Sequence, residues 1–447
     1  MAKDRFGRLL AVPALVAALW LLTTSIPGQQ QLAEACAFLR SPVAYEADRT
    51  RTAYSTAIDA ASVNSLFPGD PFFGLPPVKT GTRANRTDGP AQAPAALLRG
   101  IAWVESNLAM ASGSVPFESS GPALVSFDCG YGLMQVTTGM TVPLGADNQP
   151  TANQANVATH YLYNIARGAF ILADKWNQAP DSRPIAGIDT NSDSSILENW
   201  YYAVWSYNGF TGPGSVQSNH PLDPRFSNTR GRWKCDGSQS RTRYPYQEVV
   251  WGCMGSPPVR NGQQLWTPVA ASLPNLTDPK FAGPLGVANF VFPYAGMDMP
   301  TAQPSHTQQA PSVPADFRSR VLGSPVLSVA DASIQLALDG GAQAGRATVT
   351  VENSGSGILV WTAIPSANWI VVDPPAGVAL GSEVPCGTGC SRTGTFSVTL
   401  NPAALPQSMT SGTITVSAAN ATSPPVTVTI NASADFDLPA PGTSRAY

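Results

Sequence analysis

Between residues 91 and 208 of this 447-residue chain, a carboxylic acid, a glycine-rich turn ending in an amide, and a tyrosine–asparagine pair follow one another. They are Glu105, Gly130 to Gln135, and Tyr207 with Asn208. A carboxyl in half-apolar surroundings keeps its proton to higher pH, because desolvation disfavours the charged form, and such a group can serve as a general acid near neutrality. Placing Ala95 to Ala109 on a helix at about 100° per residue sets Leu97, Ile101, Val104 and Leu108 in one stripe. Leu98, Ala102 and Ala109 line up beside it, and Glu105 falls in their row, where the buried face meets solvent. An ordinary solvated glutamate fits the same position. Gly130 and Gly132 permit backbone angles and close approach that side chains forbid, which would bring Gln135 and backbone groups against a ligand, while Leu133 and Met134 also read as core packing.

Two further elements must hold these groups. Asn156 to Asn177 carries Leu162, Ile165, Ala169 and Leu172 at helical spacing, a buried-face helix with an architectural role. Ile196 to Asn208 sets Ile196, Trp200, Ala203 and Tyr207 on one face and stops at Gly209, a residue suited to a helix C-terminus. Tyr207 and Asn208 thus stand at a helix end, where side chains reach a cleft; a tyrosine there is also commonly core, with its hydroxyl satisfied.

In order, Glu105-Ser106, the turn Gly130 to Gln135, Asn164-Ile165 with Gly168, and Ser206 to Gly209 resemble the motifs of the soluble lytic transglycosylase domain, which has the goose-type lysozyme fold. Two departures stand out. The interval from Glu105 to Gln135 exceeds the family's spacing, as an inserted loop over about 110–128 would produce, and Ser206 replaces the usual alanine. The resemblance implies cleavage of the bond between N-acetylmuramic acid and N-acetylglucosamine of peptidoglycan. In that scheme Glu105 is acid and then base, giving a 1,6-anhydro product with neither metal nor cofactor. It also implies substrate binding by Ser106, Gly132, Leu133, Met134, Gln135, Tyr207 and Asn208. Most glycosidases instead use two carboxylates at a set separation; here Asp128, beside the glycine-rich turn, is the nearest candidate for a second, with Glu118 and Glu198 behind it. The alternatives are a hydrolytic lysozyme on the same fold and a non-catalytic cell-wall glycan-binding surface protein.

Composition bounds these readings. The chain is 43% hydrophobic but only 12% charged, with 41 prolines and 39 glycines, which suits an exported, loop-rich, β-containing protein. A net charge of −3 gives no electrostatic case for nucleic acid. Lys3, Arg5 and Arg8 precede an apolar run from Leu9 to Leu22, too short to cross a bilayer comfortably, which is the shape of a signal peptide; an uncleaved anchor is the alternative. Export permits disulfides. Cys386 with Cys390 and Cys235 with Cys253 each read as closing a loop, and Cys129 is left with Cys36 or alone. The only histidines, His160, His220 and His306, are scattered, which disfavours a zinc amidase or peptidase.

From Pro325 onward, short period-two runs such as Ile334, Leu336 and Leu338, or Val426, Val428 and Ile430, indicate a β-sandwich. Asn353-Ser354-Gly355, Leu359 to Trp361, Trp369 to Val371 and Pro374 to Gly377 resemble the bacterial immunoglobulin-like module called BACON. That resemblance implies carbohydrate or cell-surface contact, and a simple spacer explains the same pattern. The expected fold class is therefore multi-domain: a mainly α lysozyme-like catalytic domain followed by an all-β immunoglobulin-like sandwich. The expected divisions are a signal peptide or membrane segment (1–35), an N-terminal arm (36–90), the catalytic domain (91–254), a Pro-rich linker (255–323), the sandwich (324–435) and a tail (436–447).

Overall fold

Helix α1 (Thr52–Ser62) starts where the Asp48 carboxylate accepts from the backbone N–H groups of Thr52 and Ala53, each at 2.9 Å, which satisfies two donors that a helix start leaves unpaired. It buries Tyr54, Ala57 and Ile58 completely. Helix α2 (Ala95–Ser106) follows Pro94 and buries Leu97, Leu98, Ile101 and Ala102. It ends earlier than its apolar period suggests, because Asn107 and Leu108 both turn left-handed (φ 55° and 56°); asparagine tolerates that conformation better than most residues. These coordinates are a computed structural model, which describes residues 36–434 except 142–144, 146–148, 212–216, 228, 280–297, 340–342 and 407–409.

The expected helix over Asn156 to Asn177 is two helices. Helix α3 (Ala152–Thr159) opens on a reciprocal capping box between Thr151 and Gln154. The extended backbone of His160 then breaks the run before α4 (Tyr161–Ser182). A single 3₁₀ turn (Leu197–Trp200) leads into α5 (Tyr201–Tyr207), and α6 (Tyr246–Gly255) follows Pro245. Helices α2 and α6 approach closely at Gly100, where a Cβ would sit 3.0 Å from Val250 Cγ1 and 3.0 Å from Val250 O. Three ribbons stitch the helices together: β1 (Val43–Glu46) with β4 (Ser119–Pro122), β2 (Lys79–Thr82) with β3 (Asn85–Asp88), and β5 (Val259–Arg260) with β6 (Gln263–Gln264). The inserted loop after Glu105 is thus held by a strand from residues 36–90, and the disulfide Cys36–Cys129 ties the same N-terminal stretch to the start of the glycine-rich turn.

After a short helix, α7 (Phe317–Leu322), the chain is built of strands. These are β7 (Leu327–Val329), β8 (Ser333–Asp339), β9 (Gln343–Ala344), β10 (Arg346–Asn353), β11 (Ile358–Pro365), β12 (Ile370–Asp373), β13 (Ala376–Leu380), β14 (Gly394–Leu400), β15 (Thr410–Ala418) and β16 (Val426–Ala434). One sheet runs β12-β14-β10-β7, the other β13-β11-β15-β16-β8-β9, with β16 and β8 parallel. Between them lie Leu359, Trp361, Phe396, Val398, Ile414 and Val428.

The six-stranded sheet departs from the expected in-and-out alternation at its β13–β11 edge. Leu359 and Trp361 face the partner sheet, but Ile358 and Val360 join the same apolar cluster as α1, α2 and α4, and so do Ala376, Val378 and Leu380 of β13. A strand buried on both faces reads as a continuous apolar run, which is why the segment from Ile358 to Ile364 does not alternate cleanly. Polar contacts follow the seam: Tyr45 Oη donates to Pro385 O (2.7 Å), Gly387 N to Glu118 O (2.8 Å) and Asn156 Nδ2 to Ala419 O (3.1 Å).

These observations correct the expected fold class. The chain is not a mainly α lysozyme-like domain with an all-β sandwich appended: among the described residues helix and strand are nearly balanced, and one apolar core runs from the helices into the sheet. The pattern within each element was local information, whereas the second buried face of β11 and β13 is a tertiary fact. Residues 298–308 run along the helical layer, with Met299 N donating to Ile185 O (2.9 Å) and Leu197 N to His306 O (3.0 Å). Disulfides join Cys36 to Cys129, Cys235 to Cys253 and Cys386 to Cys390, as an oxidising compartment permits. No described helix is long and apolar enough to cross a membrane. The expected signal segment 1–35, the apolar stretch Val287 to Tyr294 and the tail 436–447 lie outside the described residues.

Candidate functional site

Glu105 occupies the last turn of α2 and is half-buried. Its neighbours come from a segment far along the chain: Tyr246, at the first position of α6, donates its hydroxyl to Glu105 Oε1 (2.5 Å), and Arg241 donates to Val104 O (2.9 Å). Burial pushes the Glu105 carboxyl up to about 7. The Tyr246 hydrogen bond and the Arg241 guanidinium pull the other way, and the Asp128 carboxylate adds a further upward push. Desolvation wins, so near neutrality the group carries a proton about half the time.

The glycine-rich turn is locked from beneath. Asn164, fully buried on α4, accepts from Met134 N (2.9 Å) and donates to Tyr131 O (2.7 Å) and Val157 O (3.0 Å). Gly132 has φ +66°, and a Cβ there would meet Met110 Sδ at 2.6 Å and Asn164 Nδ2 at 2.7 Å. Ser106 Oγ lies 2.9 Å from Ala102 O and 2.8 Å from Leu133 O, which fixes the helix carrying Glu105 against the turn. Tyr207 closes the third side with its hydroxyl on Met134 O (2.8 Å). Burial and the nearby Glu105 carboxylate raise Tyr207 well above the ordinary tyrosine range, and the same two causes act in the same order on Tyr246.

The structure therefore gathers Glu105, Ser106, Gly132, Met134 and Tyr207 in one place. Leu133 and Met134 are completely buried, so they contribute wall and backbone, with no side-chain surface. Gln135 is half-buried and folds back, with Nε2 donating to Gly132 O (2.8 Å). Asn208 is exposed; its Oδ1 accepts from Asn219 Nδ2 (2.9 Å), and Asn219 Oδ1 in turn accepts from Tyr246 N (2.9 Å). That relay joins the end of α5 to the start of α6. Among the second carboxylates, Asp128 is exposed and acts electrostatically on Glu105. Glu198 is buried and serves the backbone N–H groups of Ser272 (2.8 Å) and His306 (2.9 Å), and Glu118 lies at the seam with the sandwich. No cluster of three metal-ligating side chains occurs among the described residues.

Sequence reasoning missed Tyr246, Arg241 and Asn219 as members of this site. The one local signal of Tyr246 is its place after Pro245, where a helix begins. Removing its hydroxyl isolates its contribution. Tyr246→Phe deletes a hydrogen bond that favours the charged carboxylate, so the Glu105 midpoint is expected to rise further above 7, readable as an upward shift of the Glu105 resonance in a ¹³C NMR titration. An unchanged midpoint would sink the electrostatic role given to Tyr246.

No family model matches the sequence, and no curated protein matches it. Among solved structures, the chain is similar over 24% of its length to a Bacteroides ovatus GH5 xyloglucanase in complex with a XXXG heptasaccharide, at 19% identity, 19% coverage of that chain and a TM-score of 0.17. It is also similar to the periplasmic chaperone SfaE, at 9% identity over 24% of this chain and 58% of the other, with a TM-score of 0.20. The ASH/PapD-like domain of human CEP192 matches at 11% identity over 30% and 96%, with a TM-score of 0.20. The chain thus spans about a fifth of the xyloglucanase and little more than half of the chaperone, and at these scores the similarities carry no argument about function.

Proposed function

We propose that this chain is an exported enzyme that cleaves the β-1,4 bond between N-acetylmuramic acid and N-acetylglucosamine in peptidoglycan, with Glu105 as its single acid and base. The observation that carries this reading is the half-buried Glu105 carboxyl, raised to about 7 and held by the Tyr246 hydroxyl beside the Gly132 turn and Tyr207. Protonated, Glu105 gives its proton to the leaving glycosidic oxygen. As a carboxylate it then takes the proton of the muramoyl C6 hydroxyl, whose oxygen closes on the anomeric carbon, and the 1,6-anhydro product forms without added water. The backbone of the 132–135 turn lines the glycan path, Ser106 and Tyr207 position that turn, and Asn208 stands at the open end.

Hydrolysis at the same site is the second reading, favoured by one observation: the exposed Asp128 carboxylate lies within electrostatic reach of Glu105. Glycosidases that activate water use such a second carboxylate. Digestion of purified peptidoglycan followed by mass spectrometry separates the two. Anhydro products, lighter by one water than hydrolysis products, are expected. Hydrated reducing ends would transfer the assignment to hydrolysis, and binding to sacculi without any released fragment would leave only a glycan-binding role.

A further inference from the structure

A cleft of about 450 Å³ opens where α3 and α7 meet the turn after β15, and none of its walls belongs to the Glu105 site. Phe67 and Tyr163 form part of its floor; both rings are largely buried, stacked at 4.5 Å between centroids, and the exposed lining is mainly polar. Two opposite charges, Arg318 and Asp70, line the same cleft. The Arg318 guanidinium is held in place by its Nε hydrogen bond to Leu66 O and by the Phe67 ring, 5.8 Å away. Its two terminal nitrogens have no hydrogen-bond or ion-pair partner among the described residues. Asp70 spends one oxygen on its own turn, with Oδ1 accepting from Phe72 N (2.8 Å) and Phe73 N (2.9 Å), while Oδ2 has no partner among the described residues.

Both charges are exposed, and both lie within electrostatic reach of the same Tyr163 hydroxyl, yet they form no ion pair with each other. Asn156 and Asn420, which also line the cleft, use their amides on Ala419 O, and on Val360 N and Ile358 O. Their bonds fix the walls; Asn156 Oδ1 stays buried without a partner among the described residues, and the two charges are the exposed recognition groups. A guanidinium with its terminal nitrogens free is a fork for a carboxylate, and a free carboxylate oxygen in the same cleft suits an ammonium.

We propose that this cleft binds a small zwitterionic ligand of the amino-acid or short-peptide class, with its carboxylate on Arg318, its ammonium on Asp70, and its backbone over the Phe67–Tyr163 floor. The site is independent of the glycan-cleaving reading, and its occupation does not require Glu105.

The test is calorimetric titration of the full chain with trialanine, with its C-terminal amide and with its N-acetylated form. Trialanine is expected to bind, and each blocked peptide to bind at least tenfold more weakly. In Arg318→Gln, trialanine and its amide should become equivalent. In Asp70→Asn, which keeps the oxygen that caps Phe72 and Phe73, trialanine and its N-acetyl form should become equivalent. Glu105→Gln should leave all three titrations unchanged, which separates failure here from failure of the catalytic reading. Should Arg318→Gln not fold, Asp70→Asn decides alone. Absence of trialanine binding, equal affinity for the three peptides, or discrimination that persists in the variants would overturn the proposal.

Discussion

Glu105→Gln is expected to lower the release of fragments from purified peptidoglycan by roughly 10²- to 10⁴-fold, the usual contribution of a positioned general acid and base, while the protein stays folded. Glutamine matches glutamate in shape, and its amide oxygen can still accept from the Tyr246 hydroxyl, so α2, α6 and their hydrogen bond survive. What is lost is the transferable proton. Because burial favours the neutral acid over the carboxylate at this position, a neutral amide costs little there, and the melting temperature near neutral pH should stay the same or rise. Cleavage at the parental rate, with the variant folded, would remove Glu105 from the mechanism.

Gly132→Ala should have the second-largest effect, and it acts through structure. Its φ of +66° costs an L-residue about 1–2 kcal/mol. The new methyl would also stand 2.6 Å from Met110 Sδ and 2.7 Å from Asn164 Nδ2. Methionine can swing aside, but Asn164 cannot, because its amide makes three hydrogen bonds in a fully buried position. We expect a total loss of about 2–4 kcal/mol, read as a lower denaturant midpoint. Glycan release should fall as well, since Met134 O anchors Tyr207. A loss below about 0.5 kcal/mol would show that the turn is not the rigid wall described above.

How much of this was written in the chain depends on the range of the signal. The stripe of Leu97, Ile101 and Val104 is a local pattern, and it placed Glu105 at the margin of a buried face, where it lies. The glycines of the turn and the tyrosine at the end of α5 were equally local, and the structure brings them together. The partners of Glu105 were not legible: Tyr246 and Arg241 lie more than a hundred residues away, and only the packing of α2 on α6 through Gly100 brings them near. Gln135 was read as reaching toward sugar, but its amide returns to Gly132 O, a choice that no spacing reveals. The fold class failed for the same reason. Period two announces a strand, yet says nothing of a helical layer that will cover the strand's second face, as α3 does for Ile358 and Val360 of β11.

The most direct test of Glu105 as a proton donor is the pH dependence of kcat/KM for glycan release from purified peptidoglycan. Activity should hold below about 7 and fall tenfold per pH unit above it, because only the protonated carboxyl can give its proton to the leaving oxygen. A profile that already falls through the ordinary carboxylate range near 4.5, or no cleavage at any pH, would contradict the account.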